Sequence, residues 1–186
     1  MKQLVNEHRS FLLFLVKFLV FYLSMTGVYS FFLGQYNTQT NEVDAITTDV
    51  AKRTYDLLVF FNQEAVIQKH PSQPAYKVLF HQNYVARIVE GCNAFSVIIL
   101  FTSFIVAFSS TWKKTIAFIF VGVLLIYGLN IFRIVLLTLG LFYYPKSKEL
   151  LHDVVFPLVI YGVVFVLWIF WVFKFYNAKT KVNETE

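Results

Sequence analysis

Four long apolar runs, Phe11 to Leu33, Ala94 to Phe108, Thr115 to about Leu139 and Val154 to Phe173, restrict this chain more than any other feature. A helix of about 20 apolar residues is what a hydrocarbon core of ~30 Å accommodates. The second run is short, but Cys92, Ser109, Ser110 and Trp112 extend it into the two interfaces, giving a span of roughly 94–112. The composition agrees with a bilayer as solvent, being 58% hydrophobic and 19% aromatic with only 15% charged residues. The expected fold class is an all-α integral membrane protein with four transmembrane helices. Residues 1–177 are read as one membrane-embedded domain and 178–186 as a disordered cytoplasmic tail.

The first run follows Lys2 and Arg9 and could imitate a secretory signal. Its apolar length exceeds the usual ~7–15 residues and no small-x-small cleavage site follows, so it reads as an uncleaved first span. Lys2, Arg9, Lys113, Lys114, Lys174, Lys179 and Lys181 would then share one side of the membrane, against Lys146 and Lys148 in a short loop on the other. Short loops govern orientation, which predicts cytoplasmic termini and an outer loop at 34–91. The net charge of +5 is distributed in clusters beside apolar runs, a pattern that sets orientation in a lipid bilayer and offers no nucleic-acid surface.

The outer loop predicts a small extracytoplasmic cap between the first two spans. From Asn41 to Asn62, Val43, Ile46, Val50, Leu57 and Phe61 recur at helical intervals, with Thr40 as a cap. After the break at Pro71 to Pro74, "AYKVLF" and "YVARIVE" flank "HQN" as a β-hairpin.

On this threading three side chains share one depth. Cys92 opens the second span and His152 immediately precedes the fourth, both at the outer end. Arg133 lies 19 positions (133 − 114) beyond Lys114, about 28 Å at 1.5 Å per residue, near the outer boundary of the core. A guanidinium inside a span costs about 2.5–3.5 kcal/mol on insertion scales and marks function by default, although it can also snorkel to the interface or pin helices together. Asn130, one turn earlier, would orient Arg133 or bond across helices. A lone buried cysteine is more often a small apolar filler than a nucleophile. A helix N-terminus with a neighbouring Arg or protonated His favours its thiolate, whereas Glu90 opposes it if close. His152 either exchanges protons or hydrogen-bonds to headgroups and water, and His81 in the cap is a second candidate base.

Together a Cys, a His and an Arg suit acyl transfer, with a nucleophile, a proton carrier and an oxyanion or carboxylate binder. The outer face lacks the glycine-rich cradle of phosphoryl transfer and the HExxH or CxxC spacing of zinc sites, so no cofactor is expected. A single cysteine excludes an intramolecular disulfide.

The segments "EGCNAF", "NIFRIV" and "LHDVVFPLVIYG" resemble motifs of the exosortase/archaeosortase family, membrane-embedded cysteine transpeptidases of bacteria and archaea. That family shows a Cys in an E-x-C-S-G-like context, an Arg in an N-x-x-R-like context and a later His opening a membrane helix. The likeness covers roughly residues 84–165, and the size and aromatic content look most like the small exosortase F (XrtF) type. It implies a protease/transpeptidase in the bacterial inner membrane with its site facing the periplasm. Its substrates would be secreted proteins with a C-terminal sorting signal made of a short motif, a hydrophobic helix and a basic tail. By the resemblance Cys92 forms a thioester, His152 is the acid/base, and Arg133 stabilises the oxyanion or thiolate. Two features depart from the pattern: Asn93 and Ala94 replace Ser-Gly, and four spans stand where many relatives have about eight, which leaves room for a membrane partner protein to complete the groove. The competing reading is a non-catalytic membrane subunit that binds a partner, with Arg133 as an interhelical pin and Cys92 as packing.

Overall fold

The computed structural model describes residues 9–37, 40–108 and 111–176. Lys2, Ser109, Ser110, Lys179, Lys181 and the expected tail at 178–186 lie outside the described residues. Helix α1 (Arg9–Leu33) leads to α2 (Ala45–Phe60), then strands β1 (Ala65–Lys69), β2 (Tyr76–Phe80) and β3 (Asn83–Ile88). One 3-10 turn (Glu90–Cys92) precedes α3 (Phe95–Ala107), followed by α4 (Trp112–Tyr143) and α5 (Phe156–Trp171). Wide π-helical turns, Leu150–Val155 and Val172–Tyr176, flank α5.

Three helical segments are long and apolar enough to cross a membrane: Phe11–Leu33, Trp112–Tyr143 and Leu150–Lys174. The second of the four expected spans is shorter than its sequence limits. α3 has 13 residues, about 20 Å of helix, against a core of ~30 Å. Trp112 opens α4 and does not extend α3. The chain is a multi-pass membrane protein of three spanning helices around a short central one. Its surface fits that solvent: Phe31, Phe120 and Leu158, one on each long helix or its flank, are 75%, 64% and 70% exposed.

α3 is apolar on all sides because it packs against α1, α4 and α5 at once. Phe101 is fully buried against Gly122 of α4, where a β-carbon would stand 2.3 Å from its ring. At the far end of α3, Phe14 of α1 meets Phe108 with ring centroids 4.1 Å apart, and the Trp171 indole donates to the Phe108 carbonyl at 2.9 Å. Arg9, Lys113 and Lys174 therefore gather at this end of the bundle, beside the C-terminus of α3. At the other end Tyr29 packs on Phe95, with ring centroids 4.7 Å apart.

The segment between α1 and α3 folds over that second end as a helix and an antiparallel sheet of order β1-β2-β3. The expected hairpin is present, with His81 and Gln82 at positive φ in its turn. β1 was not expected: its short run "AVIQK" gives a weak alternation, and it is fixed by pairing Ala65 with Phe80 through Lys69 with Tyr76. The helix begins later than Thr40. Asp44 caps it by accepting the Thr47 N–H at 2.8 Å, which leaves Asn41, at φ 54, outside the helix. Val50 and Leu58 of α2, Val78 and Phe80 of β2, and Ile134 and Val135 of α4 form one buried cluster. The Tyr127 hydroxyl of α4 also donates to Asp49 of α2, so the cap is keyed to the helix that carries Arg133.

Candidate active site

Cys92 ends the 3-10 turn Glu90–Cys92 and lies three positions before α3. It does not open the helix, as the sequence suggested. Ala94 takes the left-handed conformation at φ 58, and that kink separates the cysteine turn from the helix. The first helical N–H, at Phe95, is already occupied by the side-chain oxygen of Asn93 at 2.9 Å.

Asn93 is 2% exposed, and its amide also donates to the Tyr29 hydroxyl at 2.9 Å and to Thr47 Oγ1 at 3.2 Å. One side chain thus joins α1, α2 and α3 behind the cysteine. The Tyr29 hydroxyl in turn donates a hydrogen bond to Glu90 Oε1 at 2.7 Å. Glu90 is therefore engaged by Tyr29 and does not line the cavity described below. Buried polar groups linked in this way hold a backbone in one conformation, because each loses a partner if the segment shifts.

From the opposite side Asn130 of α4, fully buried, donates its amide to the Cys92 carbonyl at 2.7 Å. Its side-chain oxygen, and Nε of Arg133 one turn further, are buried without hydrogen-bond partners. Asn130 therefore bonds across segments to the cysteine main chain, one of the two roles its position allowed. His152 lies inside the wide turn Leu150–Val155, within the third spanning segment. Its Nδ1 is 2.7 Å from Asp153 Oδ1.

Cys92, Arg133 and His152 line one cavity of about 460 Å³. The remaining walls are β3 and apolar side chains of α4, and the other charged side chains on the lining are Arg87 and Lys148. All the fixed charge on the walls is cationic, a field that favours negative charge developing inside. His81 is not on this lining; its Nδ1 lies 3.3 Å from Glu64 and its ring sits beside Phe142. Among the described residues no three His, Cys, Asp or Glu side chains gather where they could hold a metal ion.

Sequence reasoning did not identify Asp153, Tyr29 or Thr47. Asp153 had a signal, adjacency to His152 in "LHDVV". Tyr29 and Thr47 had none, because an interfacial Tyr and a helical Thr are ordinary where they stand and only the fold turns them toward Asn93.

Searches of curated proteins and of solved structures returned no match. A family model described as transmembrane exosortase matches residues 4–174 and so takes in the cap, the three spanning segments and every side chain on the cavity. The chain belongs to the transmembrane exosortase family.

Proposed function

We propose that this chain is a cysteine protease/transpeptidase, of the small exosortase F type, that cleaves secreted proteins at a C-terminal sorting signal. The observation that carries the reading is the shared cavity: Cys92, Arg133 and His152 come from three separated segments and line the same space. A packing cysteine and an interhelical pin would have no reason to meet a histidine there.

In the proposed reaction His152 accepts the Cys92 thiol proton, and the sulfur attacks the scissile carbonyl carbon. The C–S bond forms as the carbonyl electrons move to oxygen, where the guanidinium of Arg133 meets the developing charge. When the tetrahedral intermediate collapses, the amide C–N bond breaks and His152 returns its proton to the leaving amine. The acyl thioester is released when an acceptor nucleophile gives its proton to His152 and attacks the same carbon; the C–S bond breaks, and the departing sulfur takes that proton back from His152 to restore the thiol. Asp153 on Nδ1 fixes the imidazole tautomer and leaves Nε2 for proton exchange.

Orientation follows from the basic residues. Arg9, Lys113, Lys114 and Lys174 stand at the end of the bundle away from Cys92, which supports cytoplasmic termini and a site facing the periplasm. The substrate's hydrophobic helix would lie beside the exposed apolar faces of α4 and α5, with a membrane partner completing the enclosure.

The test is processing of a tail-bearing secreted protein in cells whose only copy is Cys92→Ala, with membrane-impermeant thiol labelling of the unaltered chain in parallel. Loss of processing together with labelling from outside supports the proposal. Unchanged processing by Cys92→Ala would leave the chain a non-catalytic membrane subunit.

A further inference from the structure

The wall of the cavity formed by β3 has an unusual composition. Five consecutive strand residues, Tyr84 to Ile88, all line it. Successive side chains of a strand point to opposite faces of its sheet, so an unbroken run of five on one cavity, even with one bulge in it, fits a cavity that lies along the strand's edge. The sheet order is β1-β2-β3, which makes this the edge of β3 with no strand beside it. A second cavity, of about 360 Å³, continues past Asn83 and shares Tyr84, Val85, Leu141 and Lys148 with the first. The two together form a groove along all of β3, walled on the other side by α4 from Arg133 to Phe142.

The dimensions suit one extended chain. β3 has six residues, about 20 Å of strand, and it ends four positions before Cys92. Val78 pairs with Ala86 and Leu79 with Tyr84, leaving Val85 as a bulge residue on the groove side of the ladder. Bulges bend a strand and re-aim its edge, and they are over-represented beside active sites. An open edge would pair with any extended chain it met, but this one faces α4 across the groove.

We infer that the groove holds the substrate segment as a fourth β-strand, hydrogen-bonded along the free edge of β3, so that its scissile bond is delivered to Cys92. This rests on the reading of Cys92 as nucleophile and adds how the substrate is held. Main-chain hydrogen bonds supply affinity in such strand addition, and pockets for alternate side chains supply selectivity. Arg87, Arg133 and Lys148 are the charged residues on the groove, with no carboxylate among its lining, so the bound stretch is one without Lys or Arg.

The experiment uses the full chain carrying Cys92→Ala, in phosphatidylcholine nanodiscs, so that bound peptide is not consumed. The probes are short synthetic peptides copying the segment before the C-terminal hydrophobic helix of a tail-bearing secreted protein, each with one backbone N-methyl group. Affinity is expected to fall about ten-fold or more at every second position and to change little at positions between, because alternate N–H groups face the edge strand. Uniform tolerance, absence of peptide binding, or displacement of the peptide by anionic lipid headgroups would each overturn the inference. Cleavage of the unmethylated peptide by the unaltered chain separates the two claims. Cleavage without alternation sinks the strand addition alone, and alternation without cleavage sinks the nucleophile alone.

Discussion

The side-chain amide of Asn130 donates to the main-chain carbonyl of Cys92 at 2.7 Å, tying the spanning helix that bears Arg133 to the turn that bears the thiol. Asn130→Ala removes the donor and leaves a part-buried carbonyl without its partner. It is expected to destabilise the chain by about 1–3 kcal/mol, measured by thermal unfolding in detergent, and to lower processing at temperatures where it remains folded. Asn130→Asp, which turns an acceptor toward the carbonyl, is expected to be at least as harmful. Equal stability and activity in both variants would show that the bond does not hold the cysteine turn.

Ala94 sits at φ 58, a region that L residues reach at a cost of roughly 1–2 kcal/mol. Where this chain has Ala, the family pattern it resembles has Gly, the residue that occupies such a conformation freely. Ala94→Gly is expected to be tolerated, its relief of strain offset by loss of a buried methyl. Ala94→Val, β-branched at positive φ, is expected to lower the unfolding temperature and processing together. A Val variant as stable as the parent would contradict the geometry of the kink.

Asp153 lies 2.7 Å from Nδ1 of His152. If it holds the imidazole for proton transfer, Asp153→Ala is expected to reduce the rate of processing about ten-fold or more at saturating substrate, with substrate affinity little changed. Asp153→Asn retains an acceptor oxygen and is expected to fall between the two. A loss confined to affinity would place Asp153 in substrate binding.

Gly122 and Gly128 share α4, and only the first is filled by a neighbour. A β-carbon at Gly122 would stand 2.3 Å from the Phe101 ring, whereas at Gly128 it would meet nothing within 4 Å. Gly122→Ala is expected to cost about 1–3 kcal/mol by separating α3 from α4. Gly128→Ala is expected to be neutral or stabilising by about 0.5–1 kcal/mol. Thermal unfolding of the pair in one detergent checks both signs.

Much of this architecture was legible in the residues because apolar length and strand alternation are local signals. Phe11–Leu33 and the hairpin about His81 could be read directly, and counting residues along the spans put Cys92, Arg133 and His152 at one depth, where the three line one cavity. The limits of α3 were not legible: "AFSVIILFTSFIVAF" has the composition of a span, and only the other helices around it show how a 13-residue segment satisfies its apolar surface. The Thr40 cap failed for a local reason, since Asp44 reaches the Thr47 N–H and is the stronger competitor. Asn93 looked like a departure beside the cysteine. Its partners Tyr29 and Thr47 are 64 and 46 positions away, a relationship no window of sequence contains.

Arg133→Lys keeps the charge and removes the planar fork. Oriented hydrogen bonding to an oxyanion predicts a loss of about two orders of magnitude in processing, comparable to removing one oxyanion donor. Near-complete retention would leave Arg133 with a point-charge role.

A covalent bond at Cys92 is the central step of the proposed reaction, and intact-protein mass spectrometry reads it directly. The purified full chain is incubated with a tail-bearing substrate without an added acceptor nucleophile, then quenched in acid. The expected result is an adduct equal to the substrate's N-terminal fragment joined through sulfur, released by hydroxylamine and absent from Cys92→Ala. Cleaved substrate with no adduct, or cleavage undiminished in Cys92→Ala, would contradict it.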